Sequence, residues 1–215
     1  MAEYLYRTRI VSSILEKRRR YRAHFILSKV NTWQGMKILD IGCGQDGRSF
    51  ENFVSPEYCI TGVDIEDPGG VKVQHPRFHY YQQDARDLSR FETGSFDLAV
   101  SIGMMEHICD RPLLEQMASE MIRVSKQWIV TVPWRYCWIE PHFKFPLFQL
   151  LPEPLQIFCV RKLNLHNLRE RVERDPKWIR EHYQWLSSDE WRRIFKADRV
   201  YVSPSLDGIA IVKRD

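Results

Sequence analysis

Acidic residues and glycines recur in this chain at intervals that could hold a nucleoside. In "KILDIGCGQDG" (37–47), Gly42, Gly44 and Gly47 fit the spacing G-x-G-x-x-G, which lets a backbone turn sharply and approach a ligand closely. That spacing is usually read as a dinucleotide site. Asp40, however, stands two residues before the first glycine. A carboxylate there would repel a pyrophosphate, yet it could help hold an ammonium group, directly or through water. Asp64 lies 20 residues beyond Gly44, where an acid can accept hydrogen bonds from both hydroxyls of a ribose. Asp84 is a third acid, placed to accept from an exocyclic adenine amine. Taken singly, each acid reads as a helix N-cap and the glycines as a tight turn. Taken in order, three acids around one cleft suit a cationic nucleoside and suit a dinucleotide poorly.

The elements that must position these residues show in the hydrophobic periodicity. Residues 3 to about 31 read as a helix, with Leu5, Ile10, Val11, Ile14, Leu15, Phe25, Ile26 and Val30 near helical spacing. "MKILDIG", "YCITGVDIE" (58–66), "RFHYYQQDA" (77–85), "SFDLAVSIG" (95–103) and "QWIVTVP" (127–133) read as five strands. The fourth is nearly continuous in apolar residues after Asp97, as a strand buried on both faces should be. "RPLLEQMASEMIRVS" (111–125) carries Leu113, Leu114, Met117, Met121 and Ile122 at helical spacing. Strands alternating with helical or loop segments imply a parallel sheet with crossovers. Residues 134–186 are aromatic and basic, with no clear strand. Ser187 or Ser188 then caps a short helix, "DEWRRIF", and "RVYVSP" and "GIAIVKR" form a closing strand pair.

The expected fold is therefore α/β: a doubly wound, Rossmann-like, seven-stranded sheet, mostly parallel with an antiparallel edge strand, and helices on both faces. The expected organisation is a single domain. It comprises an N-terminal helical segment (1–36), a cofactor-binding core (37–133), a substrate-side cap or insertion (134–186) and a C-terminal helix with a strand pair (187–215). Ligands of such sheets sit outside the carboxyl ends of the strands. Asp40 with Gly42 and Gly44, then Asp64, Asp84 and the run Ser101 to Gly103 all fall at that edge.

Composition narrows the setting. A chain of 215 residues with 44% apolar and 28% charged residues can bury a sizeable core without metals or disulfides. The net charge is +4, much of it from "EKRRRYR", where Lys17, Arg18, Arg19, Arg20 and Arg22 read first as a solvated helix face. The five cysteines are scattered, with no C-x-x-C pair, which fits a reducing compartment and argues against a zinc site. Arg7 and Arg9 interrupt any signal-peptide core. The stretch 145–160 is broken by Pro152, Glu153 and Pro154 and is too short to span a bilayer. The expectation is a soluble, cytoplasmic protein with at most peripheral membrane contact.

On these residues the chain resembles the class I S-adenosylmethionine-dependent methyltransferases, the broad family that includes small-molecule and quinone-pathway methylases. The pieces that carry the resemblance are "ILDIGCGQDG", "ITGVDIE", "YQQDARDL", "SFDLAVSIGMMEHI" and "WIVTVP", in the family's order and over about residues 37–133. S-adenosylmethionine presents an ammonium and a sulfonium and no phosphate, in keeping with the three acids. The resemblance implies that Gly42 and Gly44 admit the methionine moiety. It also implies that Asp64 binds ribose with Ile65 beside it, that Asp84 with Ala85 flanks adenine, and that Ser101 to His107 lies under the reactive methyl. The family's third glycine is displaced here to Gly47, with Asp46 in its usual place, which leaves the turn at Gln45 and Asp46 open.

Methyl transfer from a sulfonium is an in-line displacement, in which an enzyme aligns the acceptor and excludes water. An acceptor that must lose a proton also needs a base. His107 in "MMEHICD" is the candidate catalytic residue, with an unperturbed pKa suited to neutrality; the other reading makes Glu106 and His107 a packing element at a helix start. The acceptor should be shaped by "PWRYCWIEPHFKFP" (133–146). There Trp134 and Tyr136 offer stacking and apolar walls, and Arg135, Glu140 and His142 offer polar contacts; the other reading is a helical cap burying aromatics. No N/D/S-P-P-aromatic motif, Pro-Cys nucleophile or metal-binding acid cluster is evident. A small-molecule or lipid-like acceptor is thus expected, with nucleic acid disfavoured and no metal. The rivals are a non-catalytic binding protein, an RNA methyltransferase, and a nicotinamide-dependent oxidoreductase, which would lack a Tyr-x-x-x-Lys pair.

Overall fold

The computed structural model describes residues 2–47, 50–203 and 208–213. The side chains of Leu5, Ile10 and Val11 lie outside the described part. A long helix, α1 (Ala2–Leu27), opens the chain. It is followed by β1 (Lys37–Ile41), β2 (Cys59–Asp64), β3 (Phe78–Gln82), β4 (Phe96–Ile102), α2 (Arg111–Val124) and β5 (Ser125–Pro133). A two-residue ribbon, β6 (Ile139–Glu140) and β7 (Phe145–Pro146), begins the cap, which continues through α3 (Glu153–Leu163), α4 (Arg169–Arg174) and α5 (Trp178–His182). The chain closes with α6 (Ser188–Ile194), β8 (Arg199–Ser203) and β9 (Gly208–Lys213).

Seven strands form one sheet in the order β3-β2-β1-β4-β5-β9-β8. β1 through β5 run parallel, and β9 pairs antiparallel with both β5 and β8. This is the doubly wound, mostly parallel sheet with an antiparallel edge that the sequence implied. Side chains alternate across it. Leu39, Ile41 and Ala99 face α2 and α6, whereas Ile38, Leu98 and Val100 face Ala23, Ile26 and Val30 at the end of α1 and beyond. The strand order reverses between β1 and β4, so their carboxyl ends open a crevice there.

Local chemistry explains the helix ends. Asp110 caps α2 by accepting from the Leu113 amide at 3.0 Å, and Leu114, Met117, Ala118, Met121 and Val124 bury its inner face. Ser187, of the two candidate caps, starts α6 in a capping box with Glu190. α1 ends at Leu27, short of residue 31, and the chain beyond it is pinned because Gln127 both donates to and accepts from the Asn31 backbone. Ile14 and Leu15 are exposed, so among the described side chains of α1 the buried face is confined to the last turns. The aromatic stretch after β5 has its own small core of Phe143, Phe148, Val160, Leu168, Val172, Ile179 and Tyr183.

The glycine loop after β1 is tied down on its far side. Gly47 is left-handed (φ 63°), and a side chain there would meet the Asn52 amide at 2.6 Å and the Lys72 carbonyl at 3.1 Å. Gln45 accepts from the Lys72 amide at 2.7 Å and donates to the Asp67 carbonyl. The displaced third glycine therefore serves packing against residues 67–73. Gly47→Ala should lower stability by about 2 kcal/mol or more through left-handed strain and this contact; urea unfolding measures it, and a loss below about 0.5 kcal/mol would refute the packing role.

Candidate active site

Gly42 and Gly44 take left-handed conformations, φ 73° and 65°, which bend the chain off the end of β1. Gly42 donates to the Val63 carbonyl at 2.9 Å, and Gly44 donates to Asp64 Oδ2 at 2.9 Å. Asp64 Oδ1 accepts from the Glu66 amide at 3.2 Å. Beside this loop lies a cavity of about 360 Å3 whose wall includes Gly42, Asp64, Ile65, Asp84, Ala85 and Met104. Five of the sequence-selected cofactor residues thus meet on one surface, and Gly44 holds Asp64 from behind. Ile65 is 71% exposed and lines the cavity. Asp84 is gripped by Arg86, whose Nε donates at 2.8 Å and whose amide donates at 2.9 Å; that hydrogen bonding holds the carboxyl below its usual range.

Asp40 and Ser101 are elsewhere. Both are fully buried under the loop, and neither belongs to the wall of either cavity. Ser101 Oγ has no hydrogen-bond partner among the described residues, whereas the Asp40 carboxyl hydrogen-bonds that of Glu51. Burial, then the adjacent Glu51 carboxyl, push Asp40 well above the usual carboxylate range, with Arg22 opposing them. Burial likewise pulls the Arg22 guanidinium down against the charge of Asp40. Arg22 belongs to the basic run expected as a solvated face. It precedes Ile26 by four residues and so shares that helix's buried side; this spacing was the available signal.

Arg22 also lines a second cavity of about 210 Å3, together with Gly103, Glu106, Thr131, Pro133 and His142. The segment 103–108 divides the two spaces: Gly103 and Glu106 face the second, Met104 and Ile108 the first. Met104 lies across Gly42, where a side chain would come within 2.7 Å of Met104 Cγ.

At the second cavity the cap meets the core. Glu106 is 2% exposed and its Oε2 has no partner among the described residues. Burial raises this carboxyl to about 7, only partly offset by a backbone hydrogen bond and His142. His142 Nε2 lies 3.7 Å from Glu106 Oε1, and His142 Nδ1 lies 2.8 Å from Glu140 Oε1. Burial pushes the His142 imidazole down, but Glu140 and Glu106 outweigh it and set it above its ordinary value. His107 Nδ1 lies 2.9 Å from the His182 carbonyl, and its ring meets that of His142 edge-on at 5.1 Å. Burial of the His107 ring lowers its pKa, partly offset by that carbonyl.

Of the residues selected for the acceptor, only His142 faces this cavity. Glu140 stands behind it, fully buried, accepting also from the His142 and Phe143 amides at 2.7 Å and from Trp185 Nε1 at 3.1 Å. Trp134 and Tyr136 pack edge-to-face at 6.0 Å, and the Arg135 carbonyl accepts from Gln149. Glu106 was open between packing and catalysis in the sequence. Its proximity to His142, 36 residues away, follows from the cap, whose Gln184 donates to the Glu106 carbonyl at 2.9 Å.

Comparison with known proteins bears on the family and the fold. Residues 38–127 match the family model described as a methyltransferase domain. A sterol 24-C-methyltransferase of Candida albicans is 30% identical over 126 residues, covering 50% of this chain and 32% of that protein. A ubiquinone biosynthesis O-methyltransferase of Haemophilus ducreyi is 31% identical over 99 residues, covering 41% and 42% respectively. The chain thus spans less than half the length of these two relatives. Among solved structures, a SAM-dependent methyltransferase of Methanosarcina mazei superposes with a TM-score of 0.53 at 17% identity, over 84% of this chain and 92% of that one. One from Thermotoga maritima, described as a possible histamine N-methyltransferase, gives 0.55 at 14%, over 98% and 96%. At such identities these two speak for the fold.

Glu140 satisfies four donors from inside the cap. Glu140→Ala should therefore cost about 3 kcal/mol or more by leaving them buried and unpaired, as read by urea unfolding; a cost under about 1 kcal/mol would show that the cap does not depend on it.

Proposed function

We infer the function from one premise, that this chain is a class I S-adenosylmethionine-dependent methyltransferase: its acceptor is a small-molecule or lipid-like compound whose reacting part enters the second cavity. The observation that carries this reading is that two cavities lie on opposite sides of the segment 103–108. One has nucleoside-binding chemistry and the other has proton-handling side chains.

The residues fit the donor. A carboxylate has about four lone-pair sites, and backbone amides use two at Asp64, so two remain for ribose hydroxyls. Ile65 and Ala85 supply apolar surface for a purine, with Asp84 at its edge. Asp40 lies beneath the glycine loop and off both cavity walls, so it supports the loop from below and does not itself face the donor. A dinucleotide fits poorly, because among the described residues a 3-10 turn, Glu51–Phe53, follows the loop, whereas a pyrophosphate is held at an α-helix N-terminus. When bound, S-adenosylmethionine supplies an electrophilic methyl group for in-line transfer.

The second cavity is smaller than the roughly 300–1,000 Å3 of most ligand pockets, which favours an acceptor that inserts one small group. The sterol and ubiquinone-pathway names of the two relatives support an apolar body outside it. So does the cap's exposed Trp138, Leu155 and Phe158. Glu106 and His142 line that cavity and would meet the acceptor's reacting atom, while His107 packs edge-on against His142 and is not among the lining residues of either cavity.

The chain incubated with metabolite and lipid extracts and a labelled methyl donor should label a low-molecular-mass product; label confined to RNA or protein would overturn this reading. Asp64→Ala should weaken binding of S-adenosylmethionine at least tenfold, about 1.4 kcal/mol, by calorimetry; unchanged affinity would remove Asp64 from the ribose role. Glu106→Gln and His107→Ala should each lower turnover by about 10²-fold or more with donor affinity nearly unchanged. Full activity would leave both residues structural.

A further inference from the structure

We propose that Glu106, His107 and His142 bind one divalent first-row transition-metal ion, and that the acceptor offers this ion an oxygen. The second clause rests on the methyltransferase reading; the first does not. One ligating atom from each of the three residues falls within 4.8 Å of the others. Both imidazoles are oriented as metal ligands are. His142 Nδ1 points at the Glu140 carboxylate and His107 Nδ1 at the His182 carbonyl, at 2.8 and 2.9 Å. Those partners only accept, so each Nδ1 carries the proton and each Nε2 presents its lone pair. A carboxylate or carbonyl behind the far nitrogen is the common outer support of a metal-bound histidine.

The third ligand is the buried carboxyl whose Oε2 no described residue satisfies. With metal bonds of about 2.0–2.2 Å, tetrahedral ligands sit roughly 3.4 Å apart. The 3.7 Å between His142 Nε2 and Glu106 Oε1 is near that value, and the wider pairs need about 1 Å of side-chain movement. Glu106 and His142 also line the second cavity, which leaves open positions facing the acceptor, as catalytic sites with three protein ligands do. Two imidazoles and one carboxylate favour zinc, iron, cobalt or nickel over magnesium, which prefers oxygen.

A bound divalent ion lowers the pKa of an oxygen it touches. An acceptor hydroxyl there would release its proton to solvent. Its oxygen would then bond the methyl carbon as the carbon–sulfur bond breaks, with the electron pair returning to sulfur and S-adenosylhomocysteine leaving. The acceptor class is accordingly a hydroxyl compound.

The test is titration of the chelator-stripped full chain with Co2+, followed by its visible ligand-field bands. One Co2+ per chain is expected, displaced by Zn2+ and not by millimolar Mg2+. Glu106→Gln and His107→Ala should each weaken it at least about 100-fold, and Glu140→Gln about 10–100-fold, with thermal unfolding confirming that each variant is folded. Calorimetry with S-adenosylhomocysteine on the same samples separates the two readings. Co2+ binding without nucleoside binding upholds the ion site and overturns the methyltransferase premise. Nucleoside binding without Co2+, or Co2+ binding indifferent to all three substitutions, overturns the ion site and leaves Glu106 and His142 as a proton relay.

Discussion

The close approach of Met104 to Gly42 is the contact on which the site depends. Gly42 is left-handed and hydrogen-bonded to β2, and only the absence of a side chain lets Met104 lie across it. This fixes the segment after β4 against the loop after β1, at the place where strand order reverses. The crevice is thereby divided into a larger space beside Asp64 and Asp84 and a smaller one under the cap. Any side chain at residue 42 would push Met104 aside and move Glu106, two residues on, relative to Asp64.

Buried charge is the second organising feature, and it occurs twice. Asp40, Glu51 and Arg22 sit under the glycine loop, and Glu106, His142 and Glu140 sit where the cap joins the core. Isolated buried carboxylates are costly, so each cluster reads differently according to whether its oxygens are paired. Glu140 is fully satisfied and acts as a support. Asp40 hydrogen-bonds the neighbouring Glu51 carboxyl, whereas Glu106 retains an unpaired oxygen among the described residues, the state in which a carboxyl gains most from a cation.

Much of this was legible in the sequence wherever the signal was local. β4 and β5 are apolar runs, α2 has a 3.6-residue stripe after an Asp cap, and Asp64 ends its strand, so the sheet, its edge pair and one wall of the first cavity could be read directly. Asp40 could be seen to matter by its charge, but its depth could not, because its surroundings include Arg22 and Glu51 arriving from other segments. The cap was opaque for a similar reason. Its aromatic residues follow no single period, its ribbon is two residues per strand, and Lys144 and Leu147 adopt left-handed conformations that no residue preference signals. The joining of Glu106 to His142 is a long-range event that spacing does not encode.

On the proposed function, Asp64 and Asp84 with the glycine turn hold a sulfonium nucleoside and not a dinucleotide. Calorimetric titration of the full chain with S-adenosylhomocysteine, and separately with NADH, tests it most directly. One-to-one binding of S-adenosylhomocysteine and none of NADH is expected; binding of NADH, or failure to bind S-adenosylhomocysteine, would contradict this.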